Sequence, residues 1–375
     1  MLRHLANIYR LGVKELWSLW RDPMMLALIG YIFTVGIYTA ATAMPENLHK
    51  APIAIVDEDG SALSQRLIDA FYPPHFSLPE RVSPAQADAG LDAGRYTFVL
   101  DIPPHFQRDV LAGRSPALQL NIDATRMSQA FSGNVAVQQM LTDEVNTFVQ
   151  RHAGTAALPV GLELRARFNP GLEPRWFGAL MQLINDVTML SMILTGAALI
   201  REREHGTVEH LLVMPVTPTE IMLAKVWSMA LVVLVATAAA LYLVIQQALG
   251  VPVQGSVALF LAGAALHLFA TTSLGIFMAT VARSMPQFGL LLIITLIPLI
   301  MLSGGMTPRE SMPQRVQDLM QIAPTTHFTE LGQAILYRGA GLDLVWPSFV
   351  ALAAIGTVLF ALSLLRFRKT IGQMA

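Results

Sequence analysis

The stretch Arg201-Glu202-Arg203-Glu204-His205-Gly206-Thr207-Val208-Glu209-His210-Leu211-Leu212-Val213-Met214-Pro215 gathers many side chains able to do chemistry into one short segment. Metal binding is the first possibility, since His205, Glu209 and His210 are all ligand types. Their spacing is His-x-x-x-Glu-His, which matches neither His-Glu-x-x-His nor His-x-x-Glu-His, so no zincin-type helix results. Recognition is the second. Densely alternating charge turns at Gly206 into a short helix with Val208, Leu211 and Leu212 on one face, and Pro215 stops it. An apolar anchor ringed by charges is the layout of a small protein interface. The competing reading is a charged loop whose arginines only fix membrane topology.

The other reactive types are scattered. Asp186, with Gln182 and Asn185 a turn or less away, and His267 lie inside apolar runs, where ionisable groups are costly and usually face an interior or a water-filled pathway. Gln182 and Asp186, at i and i+4, can equally pair with each other, and His267 can be a packing residue. Met181, Met189 and Met192 could line an adaptable surface or simply fill space. Asp57, Glu58 and Asp59 begin like a cation loop but lack its sixth-position glycine and twelfth-position glutamate, so an acidic turn is expected. His75 and His105 follow proline pairs without ligand-spaced partners. No Ser/His or double-Asp arrangement suggests an intramembrane enzyme. There are no cysteines, which removes disulfides, thiolate metal sites and cysteine nucleophiles. No Gly-Lys dipeptide occurs, so a phosphate-cradling Walker loop is absent and the chain cannot hydrolyse ATP in the P-loop manner.

The elements that hold these residues are set by composition. Of 375 residues, 54% are hydrophobic and 14% charged, and the mean hydropathy is +0.51; an ordinary soluble domain carries about 25% charged residues. A net charge of −1 gives no field for nucleic acid. Residues 45–175 nevertheless hold 11 Lys/Arg and 15 Asp/Glu, which marks a water-soluble domain between apolar runs. Six candidate spans follow: Met24–Met44, Trp176–Ile200, Val226–Leu249, Ser256–Val281, Phe288–Met306 and Leu344–Leu365. The fifth contains Pro298 and reads as kinked or partly re-entrant. An even count puts both termini on one side.

Short-loop basic residues give the orientation. Arg3, Arg10, Lys14, Arg21, Arg201, Arg203, Lys225, Arg283, Arg366, Arg368 and Lys369 fall on the side of the termini, against Arg309, Arg315 and Arg338 opposite. Both termini and the tail 367–375 are therefore expected in the cytoplasm, with 45–175 outside. Residues 1–23 form an amphipathic helix, basic on one face (Arg3, Arg10, Lys14, Arg21) and apolar on another (Leu2, Leu5, Tyr9, Val13, Leu16, Trp20), suited to lying on the inner leaflet. A soluble amphipathic helix is the plainer reading. A cleaved signal at Ala41-Thr42-Ala43 fits poorly, because the apolar run is too long for one. Asp22-Pro23 caps the first span.

Within 45–175, strand-period alternation marks 52–57, 96–102, 118–123 and 162–168. Ser61 can cap a helix over 62–71, Pro103-Pro104 opens one that Gly113 closes, and Met127, Phe131, Val135, Met140, Val145 and Phe148 imply a long helix over 126–152. Alternating strands and helices give a small mixed α/β domain.

The 201–215 stretch resembles the loop after the second span of ABC type-2 exporter permeases, whose pattern is Arg-Glu-x-Glu-x-Gly-Thr-x-Glu-x-Leu-x-x-x-Pro. Arg201, Glu202, Glu204, Gly206, Thr207, Glu209, Leu211 and Pro215 match it, with Leu212 on the same apolar face. The layout of one span, an external domain and five further spans resembles the bacterial inner-membrane members of that family. Arg283-Ser284-Met285-Pro286-Gln287 and Ser303-Gly304-Gly305 with Pro308 resemble further landmarks. The resemblance implies a dimer of identical or related permeases and a separate ATPase docked on a coupling helix within 201–215. It implies that ATP and magnesium are bound by that ATPase, that a periplasmic membrane-fusion adaptor meets the external domain, and that a hydrophobic or amphipathic compound is exported. On that reading, Gln182, Asn185, Asp186 and His267 are pathway candidates within the 176–366 region, and no catalytic or metal-binding residue is expected in the chain. A membrane-anchored scaffold or receptor presenting the external domain is the alternative.

Overall fold

The computed structural model describes residues 2–43, 51–71, 73, 75–93, 95–114, 116–122, 137–149, 174–204, 216–307, 309 and 312–372. The chain divides into two compact units, one of Met1–Ala41 with Arg175–Ala375 and one of Thr42–Pro174.

Helix α1 (Leu2–Trp20) precedes α2 (Pro23–Thr42). Asp22 separates them, because its carboxylate accepts a hydrogen bond from the Met25 amide at 3.1 Å while Pro23, lacking an N–H, begins α2 at no cost. A wider π-helical turn occupies Ile32–Gly36.

In the second unit, β1 (Ile53–Asp57), α3 (Ala62–Asp69), β2 (Glu80–Arg81), α4 (Pro84–Asp92), β3 (Phe98–Ile102), α5 (Phe106–Leu111), β4 (Gln119–Ile122) and α6 (137–149) follow in order. The sheet order is β2-β1-β3-β4; β1 runs parallel to β2 and β3, and β4 is antiparallel to β3. Strand alternation sorts the side chains. Ile53, Ile55, Phe98, Leu100 and Ile102 pack with Leu63, Leu67, Phe106 and Leu141 on one face. Ala54, Val56 and Val99 pack with Ala87 and Tyr96 on the other. Both faces are covered, which is why β1 is apolar from Ile53 to Val56, before Asp57 at its end. Ser61 caps α3 by accepting from the Ser64 amide at 3.1 Å, and α3 ends two residues before the expected Phe71. The expected strand at 162–168 and both ends of the expected 126–152 helix, 126–136 and 150–152, lie outside the described residues. The two-residue β2 carries too little alternation to be read from sequence.

The first unit continues with α7 (Pro174–Glu204), α8 (Pro218–Ala248), α9 (Val257–Val281), α10 (Met285–Met301), α11 (Gln314–Met320), α12 (Pro324–Tyr337) and α13 (Leu342–Gly372). Five helices, α2, α7, α8, α9 and α13, are long and apolar enough to cross a membrane. The expected fifth span, Phe288–Met306, differs: its helix, α10, has 17 residues. At 1.5 Å per residue that is about 26 Å, short of a hydrocarbon core about 30 Å thick. Pro298 lies inside it, and the chain turns from Leu302 onward.

Helix α7 is the most enclosed of the five. Its Leu183, Ile184, Val187 and Leu190 pack with Phe260, Leu268, Phe328 and Leu331 of α9 and α12. Close approach needs glycine at one point: a Cβ on Gly275 of α9 would stand 2.8 Å from the Met192 carbonyl oxygen of α7.

Candidate functional site

The last turn of α7 carries Arg201, Glu202, Arg203 and Glu204, and each side chain reaches a different part of the unit. Arg201 donates to the Asp22 carboxylate at 2.7 Å, tying α7 to the α1–α2 junction. Glu202 accepts from Lys14 of α1 at 3.0 Å and pairs with Lys225 of α8 at 2.7 Å. Arg203 donates to the Ala279 and Ala282 carbonyls at 2.9 and 2.8 Å, where α9 ends. Glu204 accepts from the Met285 amide at 3.0 Å, where α10 begins. The signs follow helix electrostatics, with the cation at the carbonyl end of one helix and the carboxylate at the amide end of the next. The turn between α9 and α10 is Arg283-Ser284-Met285-Pro286-Gln287, so two landmarks separate in sequence meet in space. Gln287 closes that turn by accepting from the Arg283 amide at 2.9 Å.

Lys225 is the hub of this arrangement and was placed differently by sequence. Counted as a loop residue ahead of a span at Val226, it lies inside α8, which begins seven residues earlier at Pro218. It is 2% exposed and sits between Glu15 at 2.9 Å and Glu202 at 2.7 Å. The α8 start is extended by a reciprocal cap: Glu220 accepts from the Thr217 amide at 2.5 Å, and Thr217 accepts from the Glu220 amide at 3.3 Å. Glu220 also bonds His4 and Asn7 of α1, each at 3.0 Å.

Helix α1 therefore has three faces rather than the expected two. Ile8, Gly12, Glu15 and Leu19, spaced four, three and four, form a protein-facing stripe between the basic and apolar ones. Trp227 donates to the Ile8 carbonyl at 3.2 Å, and its ring covers Gly12 and stacks on Tyr9. Lys14 is turned toward Glu202 rather than left for lipid phosphate. The apolar stripe stays open, with Leu5, Tyr9, Trp17 and Trp20 exposed. Burial pushes the Glu15 carboxyl above the usual range, against the pull of Lys225. At Asp22, burial is outweighed by the Met25 amide and Arg201, and the carboxyl is held below its usual range.

Residues 21–365 match the family described as ABC-2 family transporter protein. The chain belongs to that family. It is 62% identical over 374 residues, the whole of both chains, to the inner membrane transport permease YhhJ of Escherichia coli K12. It is 29% identical over 367 residues to the probable multidrug ABC transporter permease YbhR of the same organism, covering 95% of this chain and 98% of that one. A third relative, the probable multidrug ABC transporter permease YbhS, aligns over 183 residues at 30% identity, 48% of each chain. The chain is thus a multi-pass ABC-2 transport permease.

In this permease, His205, Gly206, Thr207, Glu209, His210, Leu211, Leu212 and Pro215 lie outside the described residues; of the expected docking set, Arg201, Glu202 and Glu204 are placed. Among the pathway candidates, Gln182 donates to Asp186 at 2.8 Å, the intrahelical pairing open from the sequence. Asp186 is 1% exposed, and its second oxygen has no partner among the described residues. Gln182 and Asn185 are half-buried, with Met189 on the same stripe of α7. His267 is fully buried. Its Nε2 is 2.8 Å from the Thr188 hydroxyl, and its ring stacks on Phe328 with centroids 4.1 Å apart. The structure joins His267 to Thr188 and Gln182 to Asp186, and makes no hydrogen bond between the two pairs among the described residues.

In the small unit, Asp57 accepts from the Asp59 and Gly60 amides at 3.2 and 2.9 Å and from the Ser64 hydroxyl at 3.1 Å, while Asp59 accepts from the Gln107 amide. These carboxylates hold a turn. The hub Glu15–Lys225–Glu202 escapes the sequence reading because Lys225 reads as one more loop cation and Glu15 as a single acid in a basic amphipathic helix.

Proposed function

We propose that this permease is the membrane-spanning subunit of an ATP-driven exporter, working as a dimer of identical or related permeases. It moves a hydrophobic or amphipathic compound out of the cytoplasm or the inner leaflet. A separate ATPase subunit, holding ATP and magnesium, docks on residues 201–215. The observation that carries the proposal is the last turn of α7, where four consecutive side chains grip α1, the α1–α2 junction, α8, the end of α9 and the start of α10. A load applied just beyond Glu204 is shared at once among all these elements, which is what a coupling element must do. The lack of a phosphate-binding loop supports an external source of energy, and the relatives named as multidrug permeases support a drug-like or lipid-like cargo.

The half-buried stripe of Gln182, Asn185 and Met189 suits contact with a second permease or with cargo, and Asp186 beside it is the pathway residue best supported. The excess of basic residues on the side of the termini supports an inner-membrane orientation with both termini cytoplasmic and 45–175 periplasmic, where an adaptor meets it. That orientation requires α10 to cross, kinked at Pro298 or with its ends drawn into the bilayer. The exposed Leu5, Tyr9, Trp17 and Trp20 of α1 suit the inner leaflet.

The test is ATPase activity of the co-purified complex. Wild-type permease should raise it, and Glu204→Lys or Glu209→Lys should abolish that rise while the permease remains folded. Stimulation left intact by both variants overturns the docking assignment. A permease that co-purifies with an adaptor but never alters ATPase activity is a scaffold.

A further inference from the structure

Away from the ion cluster, a cavity of about 600 Å³ opens among the first turns of α7, residues 303–306 and 309, α11 and α12. Its volume falls in the range of small-molecule sites, but its lining is far more polar than that of a typical drug pocket. Among the described residues, Arg309 and Arg338 line it together with one carboxylate, Glu330, which approaches Arg309 only to 3.7 Å. Arg338 is exposed and has no ion-pair partner among the described residues. The described lining therefore carries an excess positive charge.

Two threonines supply the second, independent sign of a ligand. Thr326 and Thr329 are 0% and 2% exposed and line the cavity, yet neither hydroxyl has a partner among the described residues. A buried hydroxyl left unpaired costs about 1–3 kcal/mol, so such groups normally have a partner in the working molecule. Gln333, on the next turn of α12, spends its amide on the Met181 sulfur at 3.5 Å, a weak acceptor, and so has a stronger bond to gain. The wall is firm, because the Tyr337 hydroxyl donates to the Phe177 carbonyl at 2.9 Å and the two rings stack.

We propose that this cavity binds an oxyanion, the phosphate or carboxylate head of an anionic amphiphile. Arg338 and Arg309 supply charge, and the Thr326 and Thr329 hydroxyls and the Gln333 amide supply directed donors. Exposed Phe177 and Met306 at the rim offer apolar surface for the chain attached to that head. The site lies within α7 to α12 and does not depend on the ATPase docking at 201–215.

Native mass spectrometry of the full chain in a non-ionic detergent tests this with three probes: a phosphatidic acid, a phosphatidylcholine of the same chains, and inorganic phosphate. Phosphatidic acid should bind about tenfold or more tightly than phosphatidylcholine. Arg338→Ala, at an exposed position that leaves the fold intact, should weaken phosphatidic acid about tenfold, and Arg338→Lys should restore part of the loss. Thr329→Val should weaken it several-fold, with phosphatidylcholine binding unchanged in all three variants. Competition by inorganic phosphate identifies a site for free oxyanions, and its failure identifies a lipid head-group site; either supports the assignment. Equal binding of the two lipids, or unchanged affinity in both Arg338→Ala and Thr329→Val, overturns it.

Discussion

Replacing Lys225 with methionine keeps the aliphatic stem and deletes one buried charge. Its ammonium lies 2.9 Å from Glu15 and 2.7 Å from Glu202. At an effective dielectric of about 20, a pair of unit charges 4 Å apart is worth roughly 4 kcal/mol, and removing one partner of a buried pair costs about 3–5 kcal/mol because the other is left uncompensated. Lys14, 3.0 Å from Glu202 and 3.8 Å from Glu15, remains as a partial substitute. The expected loss is therefore about 3–5 kcal/mol near pH 7.5, read by denaturant unfolding of the purified permease in detergent. The pH dependence has a definite sign. Burial already raises the Glu15 carboxyl above 4.5, opposed chiefly by Lys225. A carboxyl raised in the folded state contributes stability below its unfolded value and loses it as pH rises through the folded one. Without Lys225 the Glu15 value rises further, so Lys225→Met should be least damaging in acid, and its gap from wild type should narrow as the pH is lowered. Adding Glu15→Leu should recover much of the loss, since apolar replacement of a buried pair is often neutral. A variant within about 0.5 kcal/mol of wild type, or a gap that widens in acid, would refute the reasoning.

Three further outcomes follow from the same contacts. Asp22→Ala removes a helix cap and the Arg201 partner, and should cost about 1–2 kcal/mol; because the Asp22 carboxyl is held low, the difference from wild type should be full above about pH 4 and vanish as the pH falls below its folded value. Thr188→Val leaves His267 without its hydroxyl partner and should cost about 1–3 kcal/mol in unfolding measurements; transport that survives this loss would assign His267 to packing. Gly275→Leu forces α9 away from the Met192 backbone and should lower unfolding stability by about 1–3 kcal/mol or more, whereas Gly289→Leu, where a Cβ meets nothing within 4 Å, should be nearly silent.

The apolar segments were legible because lipid demands long uncharged runs, and their ends differ from those of the helices by what hydropathy cannot see. Glu220 and Lys225 made the start of α8 look like a loop, yet each is bonded to α1, a partner more than 200 residues away in sequence. The same blindness hid the third face of α1: Gly12 and Glu15 carry no signal until Trp227 and Lys225 are placed against them. Caps at Asp22 and Ser61 were readable because they act over three residues. β1 and β3 fell within their alternating stretches, while β2 did not alternate at all. The 201–215 stretch was recognisable as a motif, but what its first four residues hold together depends on α1, α8, α9 and α10, and no local pattern encodes that.

The most direct test is site-specific photo-crosslinking from position 209, in the full chain in cells that also produce its ATPase subunit. Docking on 201–215 should give a covalent adduct between this permease and the ATPase, lost when Glu204→Lys is added. Adducts only with lipid or with the permease itself, while the ATPase is present at normal levels, would contradict it.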